Sequence, residues 1–574
     1  MASACACREY LFSNYKTILL IAVFAVVAML PAYWFGLPSG NDQSQHYQFA
    51  WTVYNEVKAG DLYPSFGPNT NHGFGDYGLR FYPPLTYYVL AGLRVVTGDW
   101  YYASMAALTL VFFAGALGVY LWTRELFDER TGVIAAALYT FIPYHLNEVY
   151  NNYLLAEFFA TAILPFSFLY LHRTMAQRSP RNAPLLAIST SLLVLTHLPL
   201  TILGGIAMGI YAVCLIDRER LGRQIALLGI TGFFIAAMTA FYWSRWLPEL
   251  AWITHTSAKY FSTTWDYRAN FLLVPTHWTN LAEDVLNLWF ADVMLLIAVL
   301  VALPALVMAF RPRGKWRPLL PLAITFALSA LLTTPLTRPL WDRLGFLQTV
   351  QFPWRWLAVV SLFAAVLGGV GITRGFAASR EKKLFAPAVV ALTLTVLAFV
   401  AVLIVRSSVY VTHAQLDSEV LAADDSTGCD CWWPIWAKVN ALGQQEKVAT
   451  PGREVAIKTW SPDERVFVVS PGMSTAAIIK TWYYPRWQAN VNGVPVETLP
   501  DANGALIIDI PADTADVSLR FVEPWYVFLA AVISLLTWAV VLFTTFALLL
   551  KSRGRRLARK TLLCVFSAAS ESSA

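Results

Sequence analysis

Residues 17–37 read TILLIAVFAVVAMLPAYWFGL and contain no charged side chain. About 20 apolar residues in a helix cross the roughly 30 Å hydrocarbon core of a bilayer, so this stretch predicts a membrane span. Arg8 and Lys16 precede it, as basic residues precede a signal peptide. The apolar run is longer than that of a signal peptide and no small-residue cleavage site follows it cleanly, so we expect an uncleaved anchor.

Eleven further stretches share this apolar character. They are Trp100–Trp122, Gly132–Pro143, Ala156–Leu171, Pro184–Leu195, Leu200–Ile216, Ile225–Trp243, Ala291–Phe310, Leu319–Leu336, Trp356–Ile372, Leu384–Val405 and Trp525–Leu550. The composition agrees, because only 14% of the 574 residues are charged, against about 25% in soluble domains. The sequence therefore predicts an all-α polytopic membrane protein with about twelve transmembrane helices.

The net charge of +6 is too small for a nucleic-acid-binding protein. The basic residues instead cluster in alternate short loops. These clusters are Arg124 and Arg130; Arg173, Arg178 and Arg181; Arg218, Arg220 and Arg223; Arg311, Arg313, Lys315 and Arg317; Arg374, Arg380, Lys382 and Lys383; and Lys551 through Lys560. By the positive-inside rule these loops are cytoplasmic, so both termini are expected in the cytoplasm and the large loops outside.

Two outer segments carry structure of their own. Segment 38–99 has apolar residues at helical spacing around Tyr47–Val57, which predicts a helix lying on the membrane, and a second short helix follows at Leu85–Val96. Segment 406–524 alternates short β-like runs with two Asn-Gly turns, which predicts a small β-rich domain.

The predicted organisation follows from these segments. It comprises a multi-spanning membrane domain over 1–405 with interfacial helices in 38–99, an extracytoplasmic β-rich domain over 406–524, a final span at 525–550 and a basic cytoplasmic tail at 551–574. Cys429 and Cys431 open the β-rich segment, and the sequence leaves open whether they form a disulfide or stay as thiols.

Ionisable groups at the membrane boundary are costly and suggest function. Asp42 opens the interfacial helix with His46 on the same face, and Asp42 could equally be a simple N-cap. Glu157 stands at the outer mouth of a span, where its alternative role is to favour a helix start. His197 could be a structural hydrogen-bonding group rather than a ligand-binding one.

Basic and aromatic groups accompany these acids. Arg355, in Gln-Phe-Pro-Trp-Arg, lies at the outer end of a span and suits a phosphate, although it could instead extend to lipid headgroups. Arg80 and Tyr82 lie in an outer aromatic stretch that could bind substrate or anchor the chain at the interface. Phosphate-loop, Rossmann, zinc-protease and hydrolase-elbow motifs are absent, which argues against ATP-driven transport and zinc hydrolysis.

The order of several motifs resembles a known family. They are Tyr77-Gly78-x-x-Phe81-Tyr82-Pro83-Pro84-Leu85, Leu155-Ala156-Glu157, Thr196-His197, Gln351-Phe352-Pro353-Trp354-Arg355 and Tyr483-Tyr484-Pro485-x-Trp487-x-x-x-Val491-Asn492-Gly493. The chain looks like the bacterial membrane proteins related by name to 6-pyruvoyl-tetrahydropterin synthase, and their YfhO-type relatives. That family is similar to the glycosyltransferase C superfamily, whose members take sugars from polyprenyl-phosphate carriers outside the cytoplasm.

The resemblance implies an inverting glycosyltransferase of the bacterial inner membrane. Its donor would be a polyprenyl-phosphate-linked sugar and its acceptor an envelope glycan, lipid or protein. Asp42 and Glu157 would be catalytic, and His46, Arg80, Tyr82, His197 and Arg355 would bind substrate. No cofactor is expected, because no second acid stands beside Asp42 to complete a metal-binding pair. A divalent metal is not excluded, but no residue pattern supports one. A transporter or lipid-carrier flippase, and a non-catalytic envelope-assembly scaffold, are the alternatives.

Overall fold

The computed structural model describes residues 2–176, 182–256, 265–279, 286–310, 317–378, 385–424 and 426–571. Part of the basic-loop prediction falls outside these residues. It concerns Arg178, Arg181, Arg311, Arg313, Lys315, Arg380, Lys382 and Lys383.

Within the described ranges, eight helices are long and apolar enough to cross a membrane. They are Tyr15–Phe35, Trp100–Leu126, Leu155–Ala176, Arg218–Met238, Leu288–Ala309, Pro353–Arg374, Val390–Ser407 and Trp525–Leu548. A ninth span is present if Leu320–Leu331 and Pro335–Trp341, which meet at 87°, are taken together. The chain is therefore a multi-pass helical membrane protein.

The predicted number of about twelve spans is not confirmed. Three of the predicted spans correspond to short helices: Glu129–Phe141 has 13 residues, Ala183–Val194 has 12 and Leu198–Cys214 has 17. At about 1.5 Å per residue, the two shortest cover only about 20 Å, which is less than the hydrocarbon thickness. Apolar composition alone could not distinguish these short packed helices from full spans.

The remaining α-helices are short or lie at the ends of the spans. They are Gln43–Ala59, Gly78–Phe81, Leu85–Thr97, Pro143–Asn147, Ala240–Trp246, Thr276–Thr279, Arg338–Trp341, Gly345–Gln348 and His413–Leu421. The helices at Gln43–Ala59 and Leu85–Thr97 confirm the two that the sequence predicts within 38–99.

One helix forms the centre of the bundle. Leu357–Ala378 begins directly after the 3₁₀ turn Pro353–Trp356, and its residues from Leu357 to Gly371 are all buried. Gly368 packs so tightly that an added Cβ would lie 2.5 Å from the side chain of Val301. Arg355, just before the start of this helix, is consequently attached to a buried and tightly packed part of the protein.

The β-structure is concentrated between residues 448 and 521. In the described chain the strands are β1 Leu37–Ser39, β2 Val409–Val411, β3 Val448–Ala449, β4 Val455–Trp460, β5 Glu464–Val469, β6 Thr475–Trp482, β7 Trp487–Val491, β8 Val494–Val496, β9 Leu499–Pro500, β10 Ala505–Ile510 and β11 Ala515–Phe521. One sheet has the order β3-β6-β10-β9 and another β4-β5-β11-β7-β8, and both are antiparallel. The Asn492-Gly493 turn joins β7 to β8 with positive φ at both residues, as the sequence predicts.

The two sheets share one apolar core with the segment that follows the Gln43–Ala59 helix. Tyr77 stacks on Tyr484 with ring centroids 4.1 Å apart, and its hydroxyl accepts a hydrogen bond from the Trp487 indole. Phe74 packs on Trp482 at 4.5 Å. The sheets are therefore docked on the membrane part through aromatic side chains.

The remaining strands, β1 and β2, form a two-stranded antiparallel ribbon in which Leu37 pairs with Val411 and Ser39 with Val409. This ribbon joins the chain just before Asp42 to the chain just before the His413–Leu421 helix. Farther along, Cys429 and Cys431 form a disulfide, which answers the question that the sequence left open.

Candidate functional site

Four of the predicted site residues lie at helix N-termini that meet at one place. Asp42 is the N-cap of Gln43–Ala59, Glu157 lies in the first turn of Leu155–Ala176, His197 is the N-cap of Leu198–Cys214, and Arg355 lies in the turn that opens Leu357–Ala378. We call these four residues the acid–arginine cluster. Helix N-termini carry partial positive charge, so their convergence favours a bound anion.

Glu157 and Arg355 form the centre of this cluster. Arg355 Nε lies 3.1 Å from Glu157 Oε2, but the N–H is not directed at that oxygen, so charge rather than an aligned hydrogen bond holds the pair. Arg355 Nη1 donates to the Val350 carbonyl oxygen at 2.9 Å. Among the described residues no partner is recorded for Nη2, so this side of the guanidinium can receive a ligand.

Two further groups fix Glu157. The Tyr144 hydroxyl donates to Glu157 Oε1 at 2.6 Å. His197 Nε2 lies 3.9 Å from Glu157 Oε2, while its Nδ1 accepts from the Leu200 N–H. Because Nδ1 is an acceptor, the proton of the neutral imidazole is on Nε2 and faces the cluster.

Asp42 occupies the N-cap position but does not cap the helix with its side chain. Its carboxylate is half-buried and forms no hydrogen bond with any of the described residues. Gly40 places it, because a Cβ at Gly40 would lie 2.5 to 2.8 Å from the backbone of Asn151 and Asn152. The Asp42 N–H donates to the Asn152 carbonyl at this close approach. The carboxylate is therefore positioned by backbone contacts and left available.

Electrostatic interactions connect Asp42 to the rest of the cluster. Burial raises the pKa of Asp42, and the positive charge of Arg355 opposes part of that rise. Burial lowers the pKa of His46 to about 3. Burial, assisted by Arg355 and His46, also lowers the pKa of His197 well below its ordinary value. Both imidazoles are consequently neutral near pH 7, and the charges of the site belong to the acids and the arginine.

His46 and Tyr82 form the wall beside the cluster. His46 is buried and its Nδ1 lies 2.9 Å from the Tyr87 hydroxyl, with the Tyr82 ring 6.1 Å away. Tyr82 is half-buried, and its phenol interacts electrostatically with Asp42, Arg355 and Glu157. The structure thus brings six of the seven predicted site residues together.

Arg80 is the exception, and its predicted role in substrate binding needs correction. Its guanidinium is fully buried and is bonded to Glu249 through Nε at 2.8 Å and to Glu523 through Nη1 at 2.5 Å. Arg245 and Arg486 bind the same two carboxylates. Arg80 therefore joins the membrane part to the β-sheets in a network of five ionic groups. We call this network, Arg80, Arg245, Glu249, Arg486 and Glu523, the docking network.

Sequence reasoning missed three groups near the cluster. Tyr144 carried no signal because a lone tyrosine before a helix is common. His255 lies in an irregular 3₁₀ segment, and its imidazole interacts with Arg355. Glu148 lies in the π-helical turn Glu148–Asn152, is buried, and has neither carboxylate oxygen hydrogen-bonded among the described residues. Burial and the nearby Glu157 raise the pKa of Glu148.

The described residues include one grouping of three side chains that could hold a metal ion. It consists of Asp99, His413 and Asp417. All three are at least partly exposed, and none belongs to the acid–arginine cluster. Chemically, the cluster combines a cation with a free donor edge, one available carboxylate and one held carboxylate.

Comparisons with known proteins give a family and several looser likenesses. The model of a membrane protein family, described as the 6-pyruvoyl-tetrahydropterin synthase related domain, matches residues 79–414. A protein of Lactococcus lactis subsp. cremoris (strain MG1363), described only as uncharacterized, is 24% identical over 230 residues. That match covers 38% of this chain and 36% of the relative, so the chain aligns with about a third of the relative's length.

Three solved structures are similar at low identity. ArnT from Cupriavidus metallidurans bound to undecaprenyl phosphate is 14% identical, with 72% of this chain and 75% of that chain covered and a TM-score of 0.44. The oligosaccharyltransferase of Archaeoglobus fulgidus is 14% identical over 73% and 57% of the two chains, with a TM-score of 0.40. The mycobacterial arabinofuranosyltransferase AftD is 16% identical over 67% and 26%, with a TM-score of 0.43. These scores describe loose matches, so any assignment of a reaction depends on the chain's own site.

Proposed function

The chain belongs to the membrane protein family of the 6-pyruvoyl-tetrahydropterin synthase related domain, and we propose that it is a glycosyltransferase. The proposed reaction moves a sugar from a polyprenyl-phosphate donor to a hydroxyl of an acceptor outside the cytoplasm, with inversion at the anomeric carbon. One observation carries the proposal: the available carboxylate of Asp42 lies in the same cluster as Arg355, whose charge acts on it and whose Nη2 has no partner among the described residues.

Asp42 is the proposed base. A general base must reach the acceptor hydroxyl and must not be occupied by the protein itself. The Asp42 carboxylate meets the second condition, because it does not cap its helix and is half-buried rather than sealed. Its raised pKa also suits a base, since it makes the carboxylate a stronger proton acceptor than an exposed aspartate.

Arg355 is the proposed phosphate ligand. The guanidinium remains charged, and its Nη2, which has no partner among the described residues, can donate to a phosphate oxygen. Glu157 and the Val350 carbonyl fix Nε and Nη1, so Nη2 is held in one orientation. The four converging helix N-termini add positive potential at the same place.

The proposed step then balances in charge and atoms. The acceptor oxygen bonds to the anomeric carbon while the bond from that carbon to the phosphate oxygen breaks. Asp42 takes the proton of the acceptor hydroxyl. The polyprenyl phosphate leaves with the bonding electron pair, and Arg355 stabilises its added negative charge. Glu157 orients Arg355 and, with His197, positions the reacting groups beside the oxocarbenium-like transition state.

The side of the membrane follows from the same proposal. The cluster lies at the ends of the Leu155–Ala176 and Pro353–Arg374 spans that the charge pattern assigns to the outer face. We place the protein in the bacterial inner membrane with both termini cytoplasmic. The acceptor is then an envelope glycan, lipid or protein.

Substitution of Asp42 tests the proposal directly. Asp42→Asn is expected to lower sugar transfer by about 100- to 10,000-fold, the range by which general bases accelerate reactions. Asp61→Asn is the matched control, since Asp61 follows the same helix and is exposed. Transfer is measured with purified protein, radiolabelled polyprenyl-phosphate sugar and envelope extract as acceptor, and expression is checked in parallel.

Arg355→Ala gives the second arm of this test. Loss of one preorganised electrostatic group lowers turnover by about 100- to 1,000-fold. Arg374 is half-buried at the other end of the same helix and pairs with Asp128, so Arg374→Ala is expected to retain activity. Normal envelope glycans in cells that carry Asp42→Asn would contradict the proposal that the protein is a glycosyltransferase. Solute uptake or lipid flipping that survives both substitutions would instead favour the transporter.

A further inference from the structure

Three aromatic rings border the acid–arginine cluster on the side of the β-sheets. Trp432 lies 4.9 Å from the His255 ring and 5.7 Å from the Tyr82 ring, measured between centroids. All three residues are half-buried, and the Phe81 ring lies nearly parallel to the Trp432 ring at 6.4 Å. The Tyr82 ring lies 6.1 Å from the His46 ring, which is one turn after Asp42 on the same helix. The charges of Asp42 and Arg355 also act on Tyr82, and that of Arg355 acts on His255. This aromatic wall, Tyr82, His255 and Trp432, therefore borders the acid–arginine cluster.

Trp432 belongs to a short segment that crosses from the membrane part to the β-sheets. We call residues 426–433 the disulfide loop, because it contains the Cys429–Cys431 disulfide. Its first half is tied to the helix that Asp42 opens. Gln48 Nε2 donates to Ser426 Oγ at 3.1 Å, and the Cys429 N–H donates to Gln45 Oε1 at 2.9 Å.

The disulfide loop is also bonded to two other segments of the chain. Asn71 Oδ1 accepts from the Gly428 N–H at 2.9 Å and from the Trp433 indole at 3.1 Å. The Trp433 carbonyl accepts from the Thr254 N–H at 2.9 Å, beside His255. A loop bonded on both sides keeps the Trp432 ring in place, so the aromatic wall is formed before any ligand arrives.

The neighbouring tryptophans do not share this position. Trp433 is buried in the core of the β-sheets and donates its indole N–H to Asn71. Trp436 is half-buried and packs on Tyr483 at 4.8 Å, with no recorded ring contact to His255 or Tyr82. Trp432 is thus distinguished by its contacts rather than by its residue type.

We infer that Trp432, with Tyr82 and His255, forms a subsite for a pyranose ring beside Asp42 and Arg355. The face of an indole carries negative partial charge and attracts the C–H groups on the apolar face of a sugar. The imidazole and phenol supply hydrogen-bonding groups at the edge of the same ring. A sugar ring on this wall would lie beside His46 and the helix that Asp42 opens. The inference rests on the proposed function, because it assigns the sugar position within that site.

The ring could belong to the donor or to the acceptor, and binding measurements distinguish them. The full-length protein in detergent micelles is titrated with polyprenyl phosphate and with polyprenyl phosphate carrying glucose. Saturation-transfer NMR with methyl β-glucoside detects a free sugar on the protein. Neither readout needs turnover, so failure of this inference is separable from failure of the proposed reaction, which the Asp42→Asn transfer assay reports.

If the ring is the donor's, the wild type binds the glucose-bearing lipid more tightly than the bare lipid. Trp432→Ala then lowers the affinity for the glucose-bearing lipid by about tenfold and leaves the affinity for the bare lipid unchanged. If the ring is the acceptor's, both lipid affinities stay unchanged and Trp432→Ala removes saturation transfer to the glucoside. Trp432→Phe, which keeps an aromatic face, is expected to retain most of either effect.

Trp436→Ala is the matched control and should change neither readout, since Trp436 packs on Tyr483 away from the wall. Unchanged thermal unfolding and bare-lipid affinity show that each variant is folded. Two results would overturn the inference. One is equal binding of the two lipids by the wild type with no saturation transfer, and the other is no change in any readout for folded Trp432→Ala.

Discussion

Asp42 is a half-buried acid without a hydrogen-bond partner recorded among the described residues, and such a group lowers stability when ionised. Burial raises its folded-state pKa above the value in the unfolded chain, so the folded state loses stability as the pH rises through these two values. Below both values the carboxyl is neutral in either state and no difference remains. The site residue therefore opposes folding at the pH at which the proposed base is active.

Asp42→Asn is accordingly expected to raise the thermal unfolding midpoint at pH 8 while abolishing transfer. The gain should shrink as the pH falls and disappear near pH 3, where the aspartate is also neutral. Differential scanning fluorimetry of the purified proteins across this pH range measures it. An unfolding midpoint for Asp42→Asn at or below that of the wild type at pH 8 would contradict the burial argument.

For single residues, the sequence predicted which side chains lie near the site, but it did not predict which side chains pair with each other. Asp42, Glu157, His197 and Arg355 share one signal, a polar group at the expected outer end of an apolar run, and the fold brings such ends together. Arg80 was predicted instead from an outer aromatic stretch, and its partners Glu249 and Glu523 lie far along the chain. No local pattern could show that these acids would occupy its guanidinium.

At the scale of elements, the docking network connects helices of the membrane part to the β-sheets. Glu249 is fully buried and receives Arg80, Arg486 and the Tyr484 hydroxyl at 2.6 to 3.0 Å. Removing one member of a buried ion pair leaves an uncompensated charge and costs about 3–5 kcal/mol. The network thus makes the placement of the sheets depend on one glutamate.

Glu249→Ala is expected to destabilise the protein by about 3–5 kcal/mol and to separate unfolding of the sheets from that of the helices. Arg520→Ala is the control, because its pair with Glu464 is exposed and such pairs contribute at most about 1 kcal/mol. Limited proteolysis with mass spectrometry locates the cleavage sites. Identical proteolysis and unfolding of both variants would show that the network does not hold the two parts together.

The elements themselves show where sequence patterns suffice. The β-like runs at Glu454–Lys458, Val466–Ser470, Ala477–Tyr484, Ala505–Ile510 and Val517–Val522 each overlap an observed strand, because alternation and Asn-Gly turns are local signals. The predicted number of spans is not confirmed, for the opposite reason. A short helix packed among others is as apolar as a spanning one, and only its length in the fold separates them.

For the whole molecule, the multi-pass membrane fold and the family prediction are confirmed. The sidedness stays a prediction, since it depends on the charge of the loops rather than on the packing of the helices. Its signal is statistical, and part of it lies in stretches outside the described residues.

We expect the β-sheets to lie outside the cytoplasmic membrane. A cysteine introduced at Met473, which is 86% exposed, should react with a membrane-impermeant maleimide on intact cells. The parent protein provides the control, since its cysteines outside the disulfide, Cys5, Cys7, Cys214 and Cys564, should remain unlabelled until cells are permeabilised. Labelling of Met473→Cys only after permeabilisation would reverse the orientation and place the candidate site on the cytoplasmic side.

The β1–β2 ribbon has a consequence for how the protein is made. Strand β1, just before Asp42, pairs with β2, which leaves the ribosome only after most of the membrane helices. At about 5–20 residues per second, the chain between them takes roughly 20 to 70 s to synthesise. A nascent chain therefore inserts its early helices while Asp42 still lacks its anchored neighbour. We expect the proposed sugar-transfer site to be completed late in biogenesis. Partly translated copies would then be unable to act on carrier lipids.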